Sequence, residues 1–325
     1  MKSPIGGVKQ MHRLSEQINL LGRESIIIQQ DADFHPSWFT SQVKTISYDS
    51  WRNLSDLSSE RDIVILPETY LNQFASYGGG LATVIFNQNG SYTFGLKSDQ
   101  SANLSPLKIV KAYNQTCIKH ILCVSEYDRQ LLSSFCNVPA SRISLIRNSI
   151  DPRLVNPGGK AKKRIVSFMP RKNRFDAHIV TSLLFSQAWF NGWKLMPIVG
   201  KPHHEVVSDL QSSLVFLSFG HPEGFGLPVA EALACGCAVV GYSGLGGREI
   251  FDLVSDFPVA YGVEYGDWNG FLQALKTVVK YVDQKPESFS ALLSKSSKAI
   301  RSYYDDLSMR NSVEQALIKI EASIG

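Results

Sequence analysis

Glu223-Gly224-Phe225-Gly226-Leu227-Pro228-Val229-Ala230-Glu231 sets two carboxylates around a glycine-rich turn that runs into an apolar helix. Just before it, Leu214-Val215-Phe216-Leu217 reads as a short buried strand. Gly224 and Gly226 let the backbone approach a ligand without interference from Cβ. Pro228 suits the first helical position, where a missing N–H costs nothing, so the helix is expected from Val229 to Ala234 with Glu231 in its first turn. Unpaired N–H groups and the positive end of the helix dipole favour a phosphate in the turn, while carboxylates accept from hydroxyls. The segment therefore fits a ligand carrying anionic phosphate beside neutral hydroxyls. Its ordinary reading, an acidic residue and a glycine turn that merely begin a surface helix, would suit either feature alone.

To either side, strand and helix signals alternate, as in an α/β protein. Residues 25–29, 63–66, 82–86, 121–124 and 144–146 read as strands of a first domain. Residues 165–168, 194–199, 214–218, 238–242 and 258–261 read as strands of a second. Asp151 to Lys163, with Pro152, Pro157, Gly158 and Gly159, has the composition of a linker. Residues from Trp268 to Ile324 keep a helical spacing of apolar side chains. The 325 residues, 44% hydrophobic, suffice for two modest cores. No apolar run is long enough to span a bilayer, and the residues after Met1 to Val8 do not read as a secretory leader. Five cysteines without paired metal spacing fit a reducing cytoplasm, and Cys235 and Cys237 read as small buried thiols.

Together with Ala232, Cys235-Gly236, Val239-Val240 and Gly246-Gly247-x-Glu249, the Glu223-x7-Glu231 run resembles the donor-site signature of the retaining family-4 glycosyltransferases. The match extends from Ser218 to Glu249. The resemblance implies the GT-B fold, two Rossmann-like α/β domains facing across a cleft. Residues 1–150 would form the acceptor-side domain and 151–300 the nucleotide-sugar domain, with a last helix at 300–325 returning to the first. It also implies that Glu223 contacts hydroxyls of the transferred sugar and Glu231 holds the nucleotide ribose. Gly224, Phe225, Gly226 and Leu227 would touch sugar and diphosphate. The family carries an Arg and a Lys after the first strand of this domain, which bind the donor diphosphate. Here Met169-Pro-Arg-Lys-Asn-Arg174 departs from the commoner spacing, so Arg171, Lys172 and Arg174 are all candidates, in that order. Such cations could replace a divalent metal, and neither metal nor cofactor is expected. Lys160, Lys162, Lys163 and Arg164, before the strand, read as a solvated face.

Rival signals are weaker. Asp31-Ala32-Asp33 after an apolar strand matches the metal-binding pattern of GT-A enzymes, but three residues specify little and both aspartates read as loop residues. His203-His204 lacks further spaced ligands and also reads as loop. In the first domain Pro4-Ile5-Gly6-Gly7-Val8 precedes an amphipathic helix and resembles the family's glycine loop toward phosphate and acceptor. The strand that precedes this loop in the family has no counterpart in Met1 to Ser3, so the first domain is expected to lack its first strand, either because the start of the gene product is missing here or because the sheet has lost it. Glu68, Asn87 and Asn89 follow strands, where cleft residues lie, although Asn87 to Gly90 is equally a turn. Ser125 suits a helix cap, Asn148-Ser-Ile-Asp151 the domain hinge, and His120 a structural histidine.

The resulting expectation is a retaining GT-B glycosyltransferase moving a hexose from a UDP-, GDP- or dTDP-sugar to a glycan or lipid-linked acceptor in polysaccharide assembly. The family picture is front-face attack, with the departing phosphate taking the acceptor's proton. The protein would be cytoplasmic, its basic face offering peripheral contact with the inner membrane surface. A catalytically silent GT-B protein that binds nucleotide sugar or a protein partner stays open as a second reading. Nucleic acid is not expected, because the net charge of +4 is modest and no motif interleaving aromatic and basic residues accompanies the basic run.

Overall fold

The computed structural model describes residues 6–31, 36–95, 105–159 and 161–324. The chain divides into two compact units, Met1–Ser149 with Asp306–Gly325, and Ile150–Asp305. The first unit runs α1 (Gly6–Leu20), β1 (Ile27–Gln29), β2 (Thr45–Ser47), α2 (Tyr48–Arg52), β3 (Ile63–Pro67), α3 (Phe74–Tyr77), β4 (Ala82–Asn87), α4 (Gly90–Thr93), α5 (Pro106–Tyr113), β5 (Ile118–Cys123), α6 (Glu126–Phe135) and β6 (Ile143–Leu145). The second runs β7 (Lys163–Phe168), α7 (Arg174–Leu184), β8 (Lys194–Pro197), α8 (His203–Ser212), β9 (Ser213–Ser218), α9 (Leu227–Ala234), β10 (Ala238–Tyr242), α10 (Arg248–Leu253), β11 (Ala260–Val263), α11 (Trp268–Gln284) and α12 (Pro286–Tyr303). A last helix, α13 (Asp306–Ala322), belongs to the first unit.

In the first unit β3, β4, β5 and β6 lie side by side in chain order, all parallel, and β1 pairs with β2 in a separate parallel ribbon. The second sheet has the order β11-β10-β9-β7-β8, again parallel throughout. Parallel strands covered on both faces read as continuous apolar runs. Val84-Ile85-Phe86 and Val215-Phe216-Leu217 are such runs, and all six are buried. From β7 the chain moves to one side as β8 and crosses back to the other as β9. The strand order reverses between β7 and β9, and in open α/β sheets ligands bind beyond the carboxyl ends at such a reversal. The turns after these two strands contain Arg171 to Arg174 and Glu223 to Gly226.

Each expected strand is present, its ends displaced by a few residues. β2 is additional, and its three residues are too few to show a period. Among the described residues no strand precedes α1. Gly6 and Gly7 form the first turn of that helix rather than a loop before it, and Pro4 and Ile5 lie outside the described residues. The last helix starts at Asp306 and packs on α1, β5 and β6. Arg23 pairs with Glu321 at 2.9 Å and Arg310 donates to Gln17 at 3.0 Å. Ser149 and Ile150 mark the division between the units, and Ile150 donates its N–H to the Tyr304 carbonyl at 2.8 Å. All five cysteines are free, and Cys235 and Cys237 are buried.

Candidate functional site

After β9 the chain turns through Gly220, His221 and Pro222 into Glu223, whose N–H donates to the Gly244 carbonyl at 2.6 Å and whose carbonyl accepts from Gly246 at 3.0 Å. The turn after β10 is thus laced to the turn after β9. The lacing needs glycine at Gly244, where φ is +73° and a Cβ would come within 2.6 Å of Glu223 Cβ. Gly226 closes the turn in the left-handed region, φ 89° and ψ 48°, and α9 begins at once. Pro228 is therefore the second helical residue rather than the first, which is equally free of cost because first-turn N–H groups have no intrahelical acceptor. Because α9 starts two residues early, Glu231 lies in its second turn, not its first.

That early start leaves the N-terminus of α9 bare. No side chain caps it and no acidic residue sits in its first turn. Gly224, Phe225 and Gly226 are buried, and among the described residues their N–H groups donate to no protein acceptor. Buried amides are nearly always paired, so a cluster of unpaired ones at a helix N-terminus is a seat for an anion.

Of the three candidate cations, Lys172 is the one the structure brings to this turn. Its ammonium lies 2.7 Å from Glu223 Oε1 and donates to the Pro222 carbonyl at 2.8 Å. Asn173, at the start of α7, ties the same two turns together by donating to the carbonyls of Phe219 at 2.7 Å and His221 at 3.0 Å. Arg171 and Arg174 are exposed. His221 stacks on Tyr265 with ring centroids 4.3 Å apart. Burial, with the positive charges of Lys172 and Arg248, holds the His221 imidazole below its usual range. Before β7, Lys162 is not part of a solvated face: it donates to the Leu210 carbonyl at 2.8 Å, at the C-terminal end of α8. Arg164 pairs with Asp283 at 2.6 Å and lies over Trp193. Lys160 lies outside the described residues.

Glu231 is buried, its side chain 8% exposed, and His203 Nε2 stands 2.8 Å from its Oε1. His203 and His204 are not loop residues: they open α8, which starts directly after Pro202, φ −65° and ψ 156°. Sequence alone gave no signal for this contact, because its partners are 28 residues apart and meet only through the packing of α8 on α9.

Three of the first-unit candidates, Glu68, Asn87 and Asn89, are closed into the protein. Asn87 is fully buried, accepting from Tyr113 at 2.5 Å and donating to Asp128 at 3.2 Å. Asn89 caps α4 by accepting from the Ser91 N–H. Glu68, 4% exposed, accepts from the Gln88 N–H at 3.0 Å. Burial pushes its carboxyl up to about 7, with Asp128 adding to the rise and the hydrogen bonds from Gln88 and Asn89 opposing it. A Cβ on Gly7 would meet Gln88 Oε1 at 3.3 Å. Gly6 is exposed. Ser125 caps α6 by accepting from Asp128 N–H, and His120 finds a partner in Ser144 at 2.9 Å.

Asp31 lies in a bend after β1, and Asp33 is outside the described residues. Among the described residues no group of three or more His, Cys, Asp or Glu is placed to hold a metal ion, and no helix is long and apolar enough to cross a membrane.

Residues 194–280, from β8 into α11, match the family model described as glycosyl transferases group 1. An α-1,6-glucosyltransferase of Actinobacillus pleuropneumoniae serotype 7 (strain AP76) is 27% identical over 218 residues, which is 65% of this chain and 60% of that protein. The chain thus spans about three fifths of the length of this curated relative. Among solved structures, sucrose-phosphate synthase from Thermosynechococcus elongatus superposes with a TM-score of 0.70 at 12% identity, covering 96% of this chain and 93% of that one. HepE of Anabaena, solved with UDP and glucose, gives 0.69 at 12% identity, covering 98% and 97%. The fold is GT-B, and the stretch that matches the group 1 glycosyltransferase model lies in the second unit.

Proposed function

We propose that this chain is a retaining glycosyltransferase that moves a glucose-type sugar from a nucleoside diphosphate to an acceptor hydroxyl in polysaccharide or glycan assembly. The observation that carries the reading is the bare N-terminus of α9 beside the Lys172–Glu223 pair. The amides of Gly224 to Gly226, which have no protein acceptor among the described residues, receive the diphosphate, and Lys172, released from Glu223 by the arriving phosphate, balances its charge. Glu223 then accepts from sugar hydroxyls, and Glu231 from the ribose. Arg171 and Arg174 lie within the same turn and add positive field. The glucosyltransferase relative and the UDP- and glucose-bound HepE support the choice of donor.

In the reaction the bond from the anomeric carbon to the β-phosphate oxygen breaks and the acceptor oxygen bonds to that carbon on the same face. The acceptor's proton passes to the departing phosphate, so no side-chain nucleophile is needed. The residues supply electrostatics fixed in advance, which is worth most where negative charge grows on the leaving group. Incubating the protein with UDP-glucose and glucan or lipid-linked acceptors, and following UDP release and the anomeric configuration of the product by NMR, tests this. Retained configuration is expected. Inversion overturns the mechanism, and tight UDP binding without turnover in any acceptor would favour a silent donor-binding protein.

A further inference from the structure

Glu231 cannot present its carboxylate to a ligand in a fixed geometry by itself. A glutamate has three rotatable bonds, and ordering the side chain only when a ligand arrives would cost its rotamer freedom at that moment. A buried carboxylate also requires partners for its charge. His203 meets both needs. In its Nε2–H tautomer or as the protonated ring, Nε2 donates to Oε1 across 2.8 Å, and its own side chain is 14% exposed. A carboxylate carries about four acceptor sites, so this contact fixes Glu231 without exhausting it.

The histidine is itself held. It is the first residue of α8, immediately after Pro202. The helix is anchored at its far end by Lys162 on the Leu210 carbonyl and along its length by the Lys201–Asp209 ion pair. α8 also packs on α9 and on β7 and β9. The imidazole is therefore part of the scaffold rather than a mobile surface group.

We propose that His203 is a positioning residue that fixes Glu231 for the ribose hydroxyls, making selection of ribose over deoxyribose a joint property of α8 and α9. The inference rests on the reading of Glu231 as the ribose ligand. A side chain oriented in advance discriminates better than one that must be ordered on binding.

Calorimetric Kd values for UDP and GDP, each beside its 2′-deoxy and 3′-deoxy form, test it in the wild type, His203→Ala, His203→Gln and Glu231→Gln, with Tm recorded for each. The wild type should bind the ribose form about tenfold or more tighter than at least one deoxy form, the usual effect of a hydrogen bond to a charged group. In His203→Ala the ratio should shrink to within about threefold while affinity for the deoxy form is nearly kept, as expected when one hydrogen bond to the ribose is lost. His203→Gln, which places an N–H donor at similar reach, should restore most of the ratio. If His203→Ala does not fold, His203→Asn, too short to reach Oε1, replaces it. An unchanged ratio in the His203 variants, or equal weakening of ribose and deoxyribose forms, overturns the proposal. Failure of the underlying reading looks different: no discrimination in the wild type, or full discrimination in Glu231→Gln, removes Glu231 from the ribose and His203 with it.

Discussion

The turn after β4 and the turn after β9 share one plan, a buried parallel strand running into a helix N-terminus, yet they treat that N-terminus in opposite ways. After β4 the protein provides its own anion: both oxygens of Asp128 accept from the Gly90 N–H, at 3.1 and 3.2 Å, and Asn89 accepts from Ser91. After β9 the corresponding amides, at Gly224, Phe225 and Gly226, have no protein acceptor among the described residues, and Lys172 and Glu223 stand half-buried beside them. Polar residues at the end of a parallel strand do not by themselves mark a ligand site. What separates the two turns is whether the chain has already satisfied its own backbone donors.

The largest effect should come from Glu223→Ala. Transfer should fall by on the order of 2–4 kcal/mol of transition-state binding, roughly thirtyfold to a thousandfold, with little change in Tm because the side chain is not part of the core. Turnover measured with saturating donor checks it, and wild-type rates would make the turn after β9 no more functional than the one after β4.

Asp128→Ala should show the inverse pattern. It leaves the Gly90 N–H and the Asn87 amide buried without an acceptor, a cost of about 2–4 kcal/mol of stability. UDP affinity of the protein that remains folded should be unchanged, because the proposed donor site lies in the other unit. A denaturant titration paired with calorimetry separates the two, and a large loss of UDP affinity at constant stability would reverse the comparison.

Glu68 sharpens the contrast through pH. Its carboxyl, pushed up to about 7 by burial, binds a proton in the folded state between the unfolded value of 4.5 and about 7. Folding is thus favoured at low pH, and that contribution is lost as pH rises through 7. Glu68→Gln, which still accepts from Gln88, should flatten the decline in Tm between pH 5 and 8 and raise stability at pH 8 by on the order of 3 kcal/mol. A wild-type Tm that rises over this range, with no difference in the variant, would mean that Glu68 is charged in the fold.

The smallest expected effect is that of chelation. On the proposed role of Lys172, Arg171 and Arg174 at the diphosphate, transfer should persist in EDTA. Complete loss restored by Mn²⁺ would return attention to Asp31 and Asp33.

The strand, turn and helix around Glu223 were legible in the sequence because their determinants are local: the spacing of Glu223 and Glu231, the glycines between them, and the apolar strand before. The strands were legible for the same reason, since buried parallel strands are continuous apolar runs. Where α9 begins was not, because the left-handed Gly226 lets the helix start at Leu227, one residue before Pro228 and two before the expected Val229. Contacts between distant segments were also hidden. His203 reads as one of two adjacent histidines in a loop until α8 is laid against α9. Lys162 reads as a surface charge until the end of α8 is placed over it. Asn87 looked open because it ends a strand that leads into the Asn89-Gly90 turn signal, while Tyr113, Thr93 and Asp128, which enclose it, come from other segments.

The membership of α13 in the first unit bears on the order in which the protein is made. The second unit is one unbroken stretch, Ile150–Asp305, whereas the first needs both Met1–Ser149 and the helix beginning at Asp306. Domains generally fold as units while synthesis proceeds from the N-terminus. Here the earlier-synthesised unit must wait on the ribosome until the whole of the later one has emerged before α13 can cover α1, β5 and β6. During that interval the apolar face that Met309, Val313, Leu317 and Ile320 later bury is open to chaperones. A chain truncated after Asp305 should present a protease-resistant second unit beside a protease-sensitive first one.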